Sequence, residues 1–151
     1  MKVQTHVVLG FGASILAMAL LGSPWWEAIY VSILAAGIHP FIDRLSHSRR
    51  GRSVYRTKML HSFETLIPLS AAIGFIVGFP LGPPAAFRGS IAFVASAFSH
   101  LASDMMTPGG VYLWGKRVRL SLFAWDDPLV NLGFTFMGMV MAIVGASLLA
   151  S

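Results

Sequence analysis

The sequence predicts an all-α, polytopic membrane protein with about five transmembrane helices, and three observations lead to that prediction. Of its 151 residues, 56% are hydrophobic and only 11% are charged, whereas soluble domains carry about 25% charged residues. The mean hydropathy is +0.72. Residues 129–151 contain no charge, and about 20 apolar residues suffice to cross the hydrocarbon layer. We therefore expect one transmembrane helical domain over residues 1–151, in the cell (inner or plasma) membrane.

The first two predicted spans are residues 3–21 and 25–43, and the turn Gly22-Ser23-Pro24 separates them. Trp25 and Trp26 open the second span, as is typical of residues at a membrane interface. Pro40 lacks a backbone N–H, so we expect it to kink the end of this span. A cleaved signal peptide is the alternative for residues 3–21, although no small-residue cleavage site follows them.

The other predicted spans are residues 60–80, 85–106 and 128–150. A proline-rich turn separates the third span from the fourth. Before the fifth span, residues 116–123 alternate charged and apolar side chains, which predicts a short strand or an interfacial ribbon.

Basic residues predict the orientation of these spans. The loop of residues 44–58 carries six of the eleven Lys and Arg residues. With Lys2 and the three basic residues of 116–119, ten lie on one side of the predicted membrane, and Arg88 alone lies on the other. The positive-inside rule then places the N-terminus in the cytoplasm and the C-terminus outside.

The polar pair His100 and Asp104 is the first candidate site. Both residues lie near the end of the fourth span, four residues apart, so a helix would place them on one face. Ionisable residues inside a membrane segment are costly unless they are paired, which makes them candidates for function.

Other polar residues are expected at the same depth, because they lie at the predicted cytoplasmic ends of the other spans. One turn of helix changes depth by only about 6 Å, so side chains from several spans can meet in one layer. With the pair, the candidates are His6, His39, Asp43, His47, His61, Glu64, His100 and Asp104.

Imidazole and carboxylate groups are ligands of zinc and of similar divalent ions, and the chain has no cysteine to add a thiolate. We expect a divalent metal, zinc first, with manganese and iron as alternatives. Catalytic sites of this type leave one position open for water. The eight groups exceed the needs of one ion, and spacing alone does not assign the surplus as ligands, orienting groups or general base.

Several of these residues could have a purely structural role instead of a role in the metal site. Glu64, a candidate general base, can pair with a nearby basic residue. His39, Asp127 and Asn131 are secondary candidates: His39 can pack beside Pro40, Asp127 can cap the fifth helix, and Asn131 can hydrogen-bond between helices.

The basic loop predicts a contact with lipid. Arg49, Arg50 and Arg52 suit anionic headgroups at the cytoplasmic leaflet. Nucleic acid is not expected as a partner, because no aromatic residues are interleaved with these charges on a defined surface.

Taken in order, the segments 42–47, 56–62, 99–104 and 107–111, with His6 early in the first span, resemble the YdjM-type membrane-bound predicted metal-dependent hydrolases. These LexA-regulated inner-membrane hydrolase-like proteins have an archaeal branch, which the chain resembles most. The resemblance covers nearly the whole chain. It implies a small helical inner-membrane protein with a metal layer of His6, Asp43, His47, His61, His100 and Asp104.

Three positions depart from the pattern of the bacterial members. Arg56 stands where those members have a further histidine, Leu60 stands where they have threonine, and the Asp-x-Asp at the end of the second span retains only Asp43. These departures weigh against two metal ions more than against one.

The predicted function is metal-assisted hydrolysis of an ester or phosphoester in a lipid or lipid-linked substrate, with Asp43 and Glu64 as candidates for the general base. The alternative is a non-catalytic membrane protein whose His/Asp cluster is structural. A metal or proton carrier is disfavoured, because the outer halves of the spans are almost wholly apolar.

Overall fold

The computed structural model describes the backbone of residues 1–50, 53–57 and 60–151, and the side chains of these residues apart from 46–56. The described chain is helical, with two short hairpins. The helices are α1 (Val3–Leu20), α2 (Trp25–Gly37), α3 (His39–Ser46), α4 (Phe63–Gly78), α5 (Pro83–Met105) and α6 (Pro128–Ala150), and a 3-10 turn (Phe79–Leu81) follows α4.

In the part of the chain that the structure describes, four helical segments are long and apolar enough to cross a membrane: Val3–Leu20, Trp25–Leu45, Phe63–Leu81 and Pro128–Ala150. An all-α polytopic membrane protein is thereby confirmed. Helix α5 also has 23 residues, but it carries Arg88, His100 and Asp104, which lower its hydropathy. The count of five spans depends on α5 and stays a prediction, as does the orientation of the termini.

The second segment is interrupted where the sequence places its proline. Helix α2 ends at Gly37, and α3 begins at His39, with Pro40 in its first turn. Pro40 cannot donate a hydrogen bond to the preceding turn, and its ring crowds that turn. The break between α2 and α3 at Ile38 has this physical cause.

Helices α1 and α5 form the centre of the bundle. Helix α1 packs against α2, α5 and α6, and α5 packs against α1, α2 and α4. Two of these contacts depend on glycine: a Cβ on Gly12 would overlap the backbone of Gly138, and a Cβ on Gly74 would overlap that of Gly89. Small residues let membrane helices approach closely, so van der Waals contact can replace the hydrophobic effect that lipid does not supply.

Two antiparallel hairpins connect the helices. Strands β1 (His47–Arg50) and β2 (Ser53–Arg56) form the first, and β3 (Val111–Leu113) and β4 (Lys116–Val118) form the second. The second hairpin turns at Trp114 and Gly115, both with positive φ, as a two-residue turn requires. The alternation seen in residues 116–123 thus corresponds to a strand over its first three residues.

Candidate metal centre

His100 and Asp104 lie on the last two turns of α5, and both side chains are fully buried. The helical repeat places them one above the other, with His100 Nε2 3.6 Å from Asp104 Oδ2. A carboxylate and an imidazole enclosed in this way need further polar partners, since burying an uncompensated charge costs several kcal/mol.

Asp104 is the centre of the cluster. Its Oδ1 lies 3.3 Å from His6 Nε2, and its Oδ2 lies 3.2 Å from His61 Nε2. The Met1 amino group is 3.2 Å from Oδ1. His6 and His61 are almost fully buried. Asp104 therefore joins the start of α1, the end of α5 and the segment before α4, as the common layer predicted.

His6 is held in place by a contact between the beginnings of α1 and α6. The Asn131 side-chain oxygen accepts hydrogen bonds from the Lys2 backbone amide and from Thr5 Oγ1, each at 3.0 Å. The Asn131 side-chain nitrogen donates to the Trp125 carbonyl at 3.0 Å. One buried amide thus anchors the first turn of α1, and with it His6.

His61 is positioned by the second hairpin. The Tyr112 amide donates to the His61 carbonyl at 2.7 Å, and Ser62 forms a parallel bridge with Tyr112. The backbone next to the imidazole is therefore part of a small sheet, which fixes where the ring enters the cluster.

Asp43 approaches from α3. Its Oδ1 lies 3.8 Å from His100 Nε2, and its side chain is 11% exposed, whereas the His100 side chain is fully buried. Asp43 therefore lies at the edge of the cluster, with access to the outside that the other groups lack.

The ligand atoms fit a divalent cation. Among the described residues, two groups have donor atoms within 4.8 Å of one another: His6, His100 and Asp104 form one, and Asp43, His61 and His100 form the other. Zinc bonds of 2.0–2.1 Å place neighbouring donors of a tetrahedral site about 3.3 Å apart. The donor separations of 3.2–3.8 Å given above lie close to this value.

The two histidines of the first group also leave ligand atoms available. His6 Nε2 and His100 Nε2 are buried, and neither makes a hydrogen bond of acceptable geometry with the residues that the structure describes. Buried polar atoms in this state are rare, and a cation that accepts their lone pairs would satisfy both. The donor set therefore suits a metal, and because the two groups share His100, it suits one ion better than two.

His39 is buried beside the cluster, but its ring nitrogens face other partners. Its Nδ1 lies 3.2 Å from His100 Nδ1, and its Nε2 lies 2.8 Å from Ser96 Oγ. His39 therefore contacts the back of the His100 ring rather than the carboxylates.

Three other candidates have structural partners outside the cluster. Asp127 caps α6 by accepting from the Leu129 and Val130 amides, and Asn131 ties α6 to α1 as described above. Glu64 accepts a hydrogen bond from the Gly115 amide at 3.1 Å, which directs it to the second hairpin. It belongs to neither ligand group found among the described residues.

Four predicted residues remain. The side chains of His47, Arg49, Arg50 and Arg52 fall outside the described residues. The metal role of His47 and the lipid role of the three arginines stay predictions.

Two features were not predicted from the sequence. Ser96 and Ser103 contact the cluster histidines, and they lie four residues before and three residues after His100, on its helix face. That spacing is the signal that identifies them. Buried Glu27 and partly exposed Arg88 form an ion pair with two contacts of 2.7 Å, but they lie 61 positions apart, and no local pattern relates them.

An apolar cleft of about 420 Å³ lies beside the cluster, between α1, α5 and α6. Its wall is almost entirely hydrocarbon and includes Leu9, Leu16, Phe98, Phe134, Met141 and the serine Ser103. Ser103 Oγ is also 3.2 Å from His6 Nδ1. The cleft and the candidate metal centre therefore share a wall.

The YdjM inner membrane protein family matches residues 1–150 of the chain. No curated protein and no solved structure matches it significantly. The family match confirms the resemblance and, with the apolar helices, a multi-pass membrane location.

Proposed function

Because the chain belongs to the YdjM inner membrane protein family, we propose that it is a membrane-bound metal-dependent hydrolase. Its substrate would be an ester or phosphoester of a lipid or a lipid-linked molecule. The observation that carries this proposal is the buried His/Asp cluster, with two unsatisfied Nε2 atoms, beside an apolar cleft that shares Ser103 with it.

In this proposal His6, His61, His100 and Asp104 hold the metal, with zinc favoured by the three nitrogen donors and one oxygen donor. A divalent ion bound there supplies a Lewis acid and makes water nucleophilic near neutral pH. The buried position of these groups keeps other water away and strengthens each electrostatic contact in the site.

Asp43 acts as the general base. Its side chain is the only one of the two ligand groups with more than slight exposure, at 11%, so it can reach a water molecule at the edge of the site. Hydrolysis adds hydroxide to the acyl carbon or the phosphorus, the bond to the leaving oxygen breaks, and that oxygen gains a proton. Asp43 accepts the proton of the water and can then return it to the leaving group.

The cleft supports a lipid substrate. A volume of about 420 Å³ falls within the usual range of ligand pockets, about 300–1,000 Å³. The acyl chain of a lipid substrate could pack against this apolar wall, and its head-group ester would then lie toward His6. The arginines of residues 49–52 would add attraction for anionic headgroups.

A second function has its own support. The side chains of His6, His61, His100 and Asp104 are at most 1% exposed and join several helices, as a structural metal or a buried hydrogen-bond network would. A ligand shell that excludes water favours this role, whereas an exchangeable water bound to the ion beside the protein ligands favours catalysis.

The test compares purified protein loaded with zinc, manganese or iron in lipid nanodiscs. Two probes, p-nitrophenyl laurate and bis(p-nitrophenyl) phosphate, separate ester from phosphoester hydrolysis, and elemental analysis gives the bound metal. The variants are Asp104→Asn and Asp43→Asn, with Asp126→Asn as the matched control, because Asp126 is exposed and outside both ligand groups.

Asp104→Asn should lose both metal and activity. Asp43→Asn should retain metal but lose about 10²–10⁴-fold in rate, the usual contribution of a general base, and Asp126→Asn should behave as wild type. A metal-loaded wild type no faster than Asp104→Asn on either probe would exclude hydrolysis of these bonds and favour the structural role. If the wild-type protein takes up none of the three metals, the His/Asp cluster is a hydrogen-bonded network that holds no ion.

A further inference from the structure

Ser96 and Ser103 lie on either side of His100 on α5 and contact the back of the candidate metal centre. Both are buried, at 0% and 1% exposure. Each hydroxyl has one proton and lies between a backbone carbonyl and an imidazole nitrogen. If it donates that proton to the carbonyl, its oxygen can only accept from the imidazole, which must then carry an N–H on that side.

Ser96 begins a chain of contacts that ends at His100. Its hydroxyl donates to the Ala35 carbonyl at 3.2 Å, so its oxygen is left to accept from His39 Nε2 at 2.8 Å. His39 then carries its proton on Nε2, and its Nδ1 can only accept. The neighbouring Nδ1 of His100, at 3.2 Å, must be the donor, which leaves His100 Nε2 with its lone pair.

Ser103 acts on His6 in the same way. Its hydroxyl donates to the His100 carbonyl at 2.9 Å, so its oxygen accepts from His6 Nδ1 at 3.2 Å. His6 then carries its proton on Nδ1, and its Nε2 lone pair faces Asp104 at 3.3 Å.

We infer that Ser96, acting through His39, and Ser103 are positioning residues that fix the Nδ1–H tautomers of His100 and His6, so that both Nε2 lone pairs face one cation. This inference rests on the proposed metal centre. It assigns roles to a pair of serines and to His39, whose ring orients a ligand rather than binding the ion.

The opposite tautomers fit the structure less well. A proton on His100 Nε2 would have its carboxylate oxygens at 3.6 and 3.8 Å, beyond hydrogen-bond range. A proton on His6 Nε2 would face Asp104 Oδ1 at 3.3 Å, but it would remove the lone pair that the cation needs, and Ser103 would have to donate to His6 instead of to the His100 carbonyl. Reversing either serine would also leave a backbone carbonyl without its hydroxyl donor. The partner of the second ring nitrogen commonly fixes the tautomer of a metal-binding histidine.

The test uses the full-length protein in detergent or nanodiscs, labelled with nitrogen-15 at histidine. In the metal-free protein, nitrogen chemical shifts tell which ring atom carries the proton, and each ring is assigned by its loss in His6→Gln or His100→Gln. Zinc affinity is measured separately by competition with a chromophoric chelator. The variants are Ser96→Ala and Ser103→Ala, with Ser103→Thr to restore the hydroxyl.

The matched control is Ser90→Ala. Ser90 lies on the same helix and donates to the Ala86 carbonyl, so it loses the same kind of hydroxyl without affecting an imidazole. The control should leave both histidine signals and the zinc affinity unchanged.

Wild type should show protons on Nδ1 of both His6 and His100. Ser96→Ala should disturb His39 and His100 but leave His6 unchanged, Ser103→Ala should disturb only His6, and each should weaken zinc binding about 10–100-fold, the usual effect of losing a group that orients a ligand. Ser103→Thr should recover most of that loss. A wild type with protons on Nε2 of both rings, or alanine variants that bind zinc within twofold of wild type, would overturn the inference.

These outcomes are separable from the proposed hydrolysis. If the tautomers and zinc affinities are as expected but neither nitrophenyl probe is cleaved, the positioning role of the serines and His39 is supported and the hydrolase proposal fails. If wild type binds no metal, the proposed function fails, and the nitrogen chemical shifts alone show whether the serines and His39 fix the tautomers of His6 and His100.

Discussion

Gly10→Ala should weaken metal binding without changing any ligand. Gly10 lies on α1 against the contact between His39 and Ser96. A Cβ at this position would overlap His39 Nε2 and would lie 2.6 Å from Ser96 Oγ, whereas ordinary van der Waals contact begins at 3.4 Å. To accommodate the new Cβ, Ser96 Oγ or helix α1 must therefore move by about 0.8 Å, and the His39 ring must move further.

A shift of that size would break the contacts that hold His100. The His39 to Ser96 distance is 2.8 Å and the His39 to His100 distance is 3.2 Å, and hydrogen bonds weaken steeply beyond about 3.2 Å. We expect zinc affinity to fall about 10–100-fold. The free energy of unfolding should fall by about 1–3 kcal/mol from overpacking, partly offset by the roughly 1 kcal/mol by which alanine favours a helix over glycine.

Gly133→Ala is the matched control, because a Cβ on Gly133 of α6 would meet no atom within 4 Å. Zinc affinity is measured by chelator competition, and unfolding is followed by circular dichroism in detergent. The reasoning fails if Gly10→Ala binds zinc within twofold of Gly133→Ala.

Two further predictions concern stability rather than the site. Arg88 donates to both carboxylate oxygens of Glu27, whose side chain is 3% exposed, so Glu27→Gln should lower the free energy of unfolding by about 1.5–3 kcal/mol, because it weakens two charge-assisted hydrogen bonds. A variant with Met at both positions should have a free energy of unfolding within about 1 kcal/mol of wild type, as measured by thermal unfolding. If Glu27→Gln is as stable as this double variant, the two residues are not coupled. Asp127 accepts from two amides at the start of α6, so Asp127→Ala should cost about 1 kcal/mol in the same assay. Its exposed neighbour Asp126 gives the control, and equal stability of the two alanine variants would rule out the cap.

Much of the fold could be predicted because membrane helices are specified locally. A run of about 20 apolar residues must satisfy its backbone internally, so it forms a helix wherever it lies in the bilayer. The proline-rich turn after α4 and the break at Pro40 follow from the chemistry of single residues. Helix α5 was harder to classify, because the residues that make it interesting, such as His100, also lower its hydropathy.

The residues that meet in the cluster were largely predictable, but the contacts among them were not. His6, Asp43, His61, His100 and Asp104 were identified because each is a polar residue at the same end of a span, and the structure brings them together. The same reasoning also selected Glu64, which hydrogen-bonds to the second hairpin instead. Depth along a helix is readable from residue number, whereas the direction in which a side chain points around the axis depends on the neighbouring helix.

His39 illustrates that limit. Its position near the end of the second predicted span made it a candidate ligand, and only the tertiary structure shows that it faces Ser96 and the back of His100. The sequence by itself determined the membrane class, the helices and the layer of polar residues, because these depend on composition and on short-range periodicity. The tertiary structure decided which nitrogen faces which oxygen and how Glu27 pairs with Arg88, because such contacts join residues far apart in the chain.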